Sequence, residues 1–193
     1  MTRLRYGMLI MLVVLMSSCY SQATVYGYSG LISIPIASPA SDGRLVIGAS
    51  RIPQMYSALK PYSRSVFFGS LVFLPGMEAM LGVVRPDQYA GGIGDRTAAL
   101  RISLFKESNR LPGISIGMQD FFAARGLELE SPSAQHFAAL YAVASKQLPQ
   151  TQLGRLALHA GYGGDRMIAN ERHLVGFFGG LGWQPLRPVN VML

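Results

Sequence analysis

The stretch LRISLFKESNRLPGISIGMQDFFAARG, residues 100–126, decides the fold. Its first part alternates: Leu100, Ile102 and Leu104 fall on one side of an extended chain and Arg101 and Ser103 on the other, because successive strand side chains point to opposite faces. Residues 107–113 then bring Asn, Pro and Gly together, which is turn chemistry. Beyond them Ile114, Ile116 and Met118 oppose Ser115, Gly117 and Gln119. Two alternating runs joined by a short turn predict an antiparallel hairpin.

The same unit recurs outward in both directions. Runs of about eight to ten residues, closed by Gly, Pro, Asn or Asp, predict strands over 44–51, 63–74, 78–85, 97–106, 114–122, 137–146, 155–162 and 174–183, with another opening at Val189. In the 155–162 run Leu156, Leu158, Ala160 and Tyr162 oppose Arg155, Ala157, His159 and Gly161. Nothing has the period of a long amphipathic helix. The expected fold is all-β, an antiparallel up-and-down meander.

One face of these strands is greasy and the other small or polar, which two architectures satisfy. A water-soluble sandwich turns the greasy face inward, and a membrane barrel turns it outward to lipid. Strand length favours the barrel, since a tilted membrane strand needs ~9–11 residues and soluble strands average ~5–6. Aromatic residues near strand ends, Phe121, Phe122, Tyr162, Phe177, Phe178 and Trp183, suit an interfacial girdle. The run 63–74 is nearly continuously apolar, which equally suits a buried sandwich strand.

The N-terminus predicts export. Arg3 and Arg5 form a basic start, Gly7 and the apolar residues after it a core too short to span a bilayer as a helix, and Ser17-Ser18-Cys19 a small-residue exit. Residues 1–18 are read as a lipoprotein signal peptide, with Cys19 the lipidated first residue of the mature chain. Ordinary cleavage near Ala23 is the alternative. Residues 19–41 are read as a lead-in segment and 42–193 as the β domain. A single Cys excludes an internal disulfide, and the three His show no metal spacing. With Arg3 and Arg5 removed, fifteen bases against ten acids leave +5. These bases are scattered, without the clustered stripe of a nucleic-acid binder, and the chain is exported. An anionic polysaccharide is the better electrostatic partner.

Particular segments carry a family resemblance. YSGLISIPIASPASDGRLVIGASRIP, residues 28–53, resembles the opening of the YjbH type of exopolysaccharide biosynthesis proteins, where Gly-Leu-Ile-x-Ile-Pro leads to Asp-Gly and a first strand. Residues 100–126 resemble the family's basic strand, Glu-Ser, Leu-Pro, short strand and Gln-Asp-Phe. YAVASKQL, residues 141–148, and GLGWQPLRPVNVML, residues 180–193, follow in family order. Two departures are local: FAARG at 122–126 replaces a Gly-Thr-Gly-like turn, and 127–135 is an insertion carrying Glu128 and Glu130. Family members run longer, so the domain is expected to be incomplete at its C-terminus. The resemblance implies an outer-membrane β-barrel lipoprotein, or part of one, that assists exopolysaccharide or capsule export. Its partners would be the anionic polymer, other export proteins and outer-membrane lipid.

Catalytic patterns are weaker. Gly113-Ile114-Ser115-Ile116-Gly117 matches a nucleophile elbow, with His159, Asp165 and His173 downstream, but the elbow needs a strained strand-to-helix turn and Ser115 lies within an alternating strand. Glu107 and Asp120 flank a short strand and are the carboxylate pair a glycan-acting enzyme would use; ion pairing with Lys106, Arg110 or Arg125 is the plainer expectation. Gly91-Gly92-Ile93-Gly94 lacks the Lys and helix of a phosphate loop. No catalytic residue, metal or cofactor is expected. A charge facing lipid costs about 2–4 kcal/mol at mid-membrane, so Arg64, Arg101 and Arg155, with Ser115 and Gln119, are the expected lumen residues that touch polymer. Each Arg has an internal ion pair as its alternative.

Overall fold

The computed structural model describes residues 23–38, 41–54, 63–87, 95–121, 138–152, 154–165, 173–186 and 189–192. The signal peptide, Cys19, the glycine run at 91–94, and Glu128 and Glu130 lie outside them. Nine strands follow one another: β1 (Leu45–Ile52), β2 (Arg64–Val72), β3 (Met77–Pro86), β4 (Asp95–Phe105), β5 (Gly113–Gln119), β6 (Ala139–Gln147), β7 (Arg155–Asp165), β8 (Gly176–Leu186) and β9 (Val189–Met192). All belong to one antiparallel sheet in sequence order, a meander curved into a half-barrel. The expected fold class and strand sequence are both met.

The register follows from the alternation. Arg101 stands opposite Glu78 on β3 and Gly117 on β5, and Ser115 opposite Ser103 and Val143, so the polar residues of neighbouring strands share a face with apolar residues such as Val143. The nearly continuous apolar run of β2 resolves the same way: Arg64, Val66, Ser70 and Val72 are buried, while Phe67 and Leu71 are exposed. At the β2–β3 turn Leu74 (φ 60°) and Gly76 (φ 94°) take left-handed backbone, which the tight reversal requires.

The greasy face is the outer one. Leu45 and Ile47 on β1, Leu81 and Val83 on β3, Ile102 and Leu104 on β4, Leu158 and Tyr162 on β7, and Phe177 on β8 are all exposed. Outward charges sit only at strand ends among the described residues: Arg51, Arg85 and Arg96 at one rim and Lys146 at the other. Aromatics mark both rims. Tyr162 and Phe177 pack edge to face at 5.0 Å near the end with the longer connections, and Phe105 and Trp183 lie near the end with the shorter turns.

The concave face is closed by the chain's own lead-in. Residues 23–38 form no long strand; they fold on themselves through bridges Ala23–Ser29 and Gly30–Pro35 and sit inside the curved sheet. On one flank Tyr26 and Tyr28 pack with Ile52, Val66, Met80, Val84 and Ala99; on the other Ala37 packs with Ala139, Tyr141, Val143 and Leu174. Close approach has a local requirement: a methyl group at Gly117 would strike the Tyr141 ring and crowd the Leu100 carbonyl at 3.0 Å. Gly117→Ala is therefore expected to destabilise the protein by roughly 1–3 kcal/mol, as overpacking does, read as an earlier denaturant midpoint.

Candidate functional site

A curved sheet whose concave face carries polar side chains among apolar ones must find partners for the polar ones, because a buried polar group without one costs about 1–3 kcal/mol. Here many of the partners are atoms of residues 23–38, backbone carbonyls and amides foremost. The centre is Glu78 on β3 and Arg101 on β4, adjacent in register and both only 2% exposed, joined by a direct ion pair. Glu78 Oε1 also accepts from Ser29 N (2.8 Å), Ser29 Oγ (2.8 Å) and Ser70 Oγ (2.9 Å). Arg101 donates to the carbonyls of Ser29 (3.0 Å) and Ile36. One carboxylate and one guanidinium thus hold both ends of a loop in the lead-in.

Two further strands complete the cradle. Ser115 on β5 donates to the Ala37 carbonyl, and Ala37 N donates to Ser145 Oγ on β6 at 2.7 Å. Ser145 in turn contacts His159 Nδ1 on β7 at 2.7 Å. At the end with the longer connections, Gln119 Oε1 meets the Tyr28 hydroxyl (3.2 Å) and His173 Nδ1 (3.0 Å), while Gln119 Nε2 is buried without a hydrogen-bond partner. Turning this amide end for end makes Nε2 the donor to both neighbours; His173 Nε2 then donates to the Ser33 carbonyl at 2.8 Å as a neutral imidazole.

Burial pushes His173 down to about 4, the Arg64 charge acts the same way, and the Ser33 hydrogen bond opposes them. The native state then refuses a proton that an unfolded histidine binds near pH 6.5. Stability is full above pH 6.5 and falls as the pH drops from 6.5 towards 4, by at most about 1.4 kcal/mol per pH unit. His173→Gln is expected to flatten that slope, measured by denaturant unfolding across the same range.

The residues expected to touch polymer separate into two groups. Arg64, Arg101, Ser115 and Gln119 do face the concave side and are buried there. The polar ends of Arg101, Ser115 and Gln119 are engaged by residues 23–38 rather than by enclosed water. Arg155, at the start of β7, is exposed and lines an open cavity of about 850 Å³ at the short-turn mouth. Tyr141 is buried, and Tyr162 is exposed on the outer face. The carboxylates Glu107 and Asp120 are not brought together: they stand at opposite ends of seven-residue β5, roughly 20 Å apart at ~3.3 Å per residue, well beyond the ~5–9.5 Å of a glycosidase pair. Glu107 instead pairs with Lys146 at 3.4 Å and accepts from Gln147 N at 2.7 Å. Among the described residues no group of three or more His, Cys, Asp or Glu could hold a metal ion.

Sequence reasoning missed the lead-in as the interior's occupant. Its signal was available: Tyr26, Tyr28, Leu31, Ile34 and Ile36 are too apolar for a solvated linker, and all but the half-buried Ile34 are buried. Glu78 was legible as a carboxylate but not as the partner of Arg101, since their pairing depends on the β3–β4 register.

No curated protein and no solved structure gave a match to this chain. The family model described as exopolysaccharide biosynthesis protein YbjH does match, over residues 22–193. That span takes in the lead-in, the strands and the mouth together, and the chain accordingly belongs to the YjbH family of exopolysaccharide biosynthesis proteins.

Proposed function

We propose that the protein is an outer-membrane β-barrel lipoprotein, exported by its signal peptide and anchored through Cys19, that assists exopolysaccharide or capsule export without catalysing a reaction. One observation carries this reading: among the described residues the same strands present an apolar band outward and a mixed polar and apolar face inward, with outward charges confined to the rims. Lipid accepts such a wall, and water does not favour an apolar surface of this extent. A periplasmic lipid-anchored sandwich would need a second sheet over the apolar face, and among the described residues all nine strands lie in one sheet.

Spin labels at Ile102 and Ile116 in the reconstituted protein test the reading. Relaxation by oxygen, which concentrates in acyl chains, with protection from a water-soluble nickel chelate is the expected result. Labels packed against protein and shielded from oxygen would overturn it. Loss of palmitate incorporation in Cys19→Ser checks the anchor separately.

A further inference from the structure

We propose that the short-turn mouth of the half-barrel is a binding site for an acidic saccharide, with Lys106 and Arg155 as its anion-recognising groups. The inference rests on the export reading for the class of ligand, and on the cavity itself for the charge.

The mouth is a space of about 850 Å³, within the ~300–1,000 Å³ of pockets that enclose a small organic ligand. Its basic and acidic residues are Lys106, Lys146 and Arg155 against Asp42 and Glu107, a surplus of one positive charge. Two of these five cancel. Lys146 and Glu107 pair at 3.4 Å, and Lys146 Nζ is further fixed by the carbonyls of Ser108 and Asn109 (3.1 Å to Asn109), so this pair braces the wall. Asp42 is engaged by the Gly43 amide at 3.0 Å. Lys106 and Arg155 have no ion pair or side-chain hydrogen bond among the described residues, and both are exposed.

The remaining lining supplies hydroxyls from Ser38, Ser41 and Ser103 and carboxamides from Gln147 and Gln150. Neutral donors and acceptors of this kind match sugar hydroxyls, and a guanidinium and an ammonium match a carboxylate or acidic ester carried on the ring. The interior offers no comparable access, because Arg64, Arg101, Ser115 and Gln119 are buried. Arg155 is the one residue of the sequence-derived polymer set that a ligand can reach here.

The test uses the full chain in detergent micelles, with tetragalacturonate as the acidic probe, the neutral tetragalactoside as its uncharged counterpart, and inorganic phosphate as the plain anion. Tetragalacturonate is expected to bind, to weaken steeply with added salt, and to lose roughly tenfold in affinity or more in Lys106→Gln/Arg155→Gln. Arg51→Gln, at the opposite rim, is expected to leave binding unchanged. Both variants alter exposed side chains, and unchanged heat-modified migration on gels verifies folding. Absence of tetragalacturonate binding, equal binding by the double variant, or equal binding of the neutral probe each overturns the proposal. Phosphate competing as well as the uronate reduces the mouth to a general anion site and overturns it too. The spin-label result is independent of these outcomes, so failure of the saccharide site and failure of the membrane reading are told apart.

Discussion

Arg101→Met is expected to cost about 3–5 kcal/mol of stability, the range found when one partner of a buried ion pair is removed. Methionine fills the space but leaves Glu78 charged and buried, and it withdraws the donors that hold the Ser29 and Ile36 carbonyls. The damage should be concentrated in residues 23–38, because the ion pair clasps that segment to β3 and β4. The measurements are the denaturant midpoint in micelles and the rate of proteolytic cleavage within the lead-in, the first falling and the second rising. Glu78→Met combined with Arg101→Met should be more stable than Arg101→Met alone, since an apolar pair strands no charge. Full recovery is not expected, because Ser29 N and the two carbonyls still lose their partners. A wild-type midpoint and cleavage rate for Arg101→Met would show that the clasp contributes nothing.

Leu81→Arg places a charge in the middle of the outer band. Leu81 is 60% exposed on β3, opposite Gly69 and Ala98, so no neighbouring side chain is displaced. Against lipid the change should cost about 2–4 kcal/mol, with falling yield of folded protein in the outer-membrane fraction. Against water the same change at an exposed site lies within about 0.5 kcal/mol of neutral. Arg85, two positions along on the same face but at the rim, supplies the contrast: Arg85→Lys should be silent. An Arg at position 81 that folds and fractionates as well as Leu81 would mean the outer face does not meet acyl chains.

How much of this was legible beforehand differs between the wall and what it encloses. The alternation of Leu100, Ile102 and Leu104 against Arg101 and Ser103 is a local property, set by the two-residue repeat of extended backbone. It therefore survived unchanged into the structure, and the strands over 114–122 and 155–162 behaved alike, shifting only at their ends. The 63–74 run was ambiguous because apolar residues on both faces erase the period; neighbouring strands restored it by assigning Phe67 outward and Val66 inward. Glu107 and Asp120 illustrate the reverse limit, since being close in sequence says little when a straight strand separates the two.

From its sequence alone this protein's strand order, its two-faced character and its family membership could be read, because each depends on neighbours along the chain or on motifs quoted in order. Which way the greasy face turns, and that residues 23–38 occupy the concave side, required the folded chain. Both depend on contacts between segments far apart in sequence: Arg101 with Ile36, Ser115 with Ala37, Tyr28 with Gln119. A buried polar group will take any partner of suitable geometry. Only the curvature and register of the sheet determine which atoms arrive within reach, and no local pattern encodes that distance.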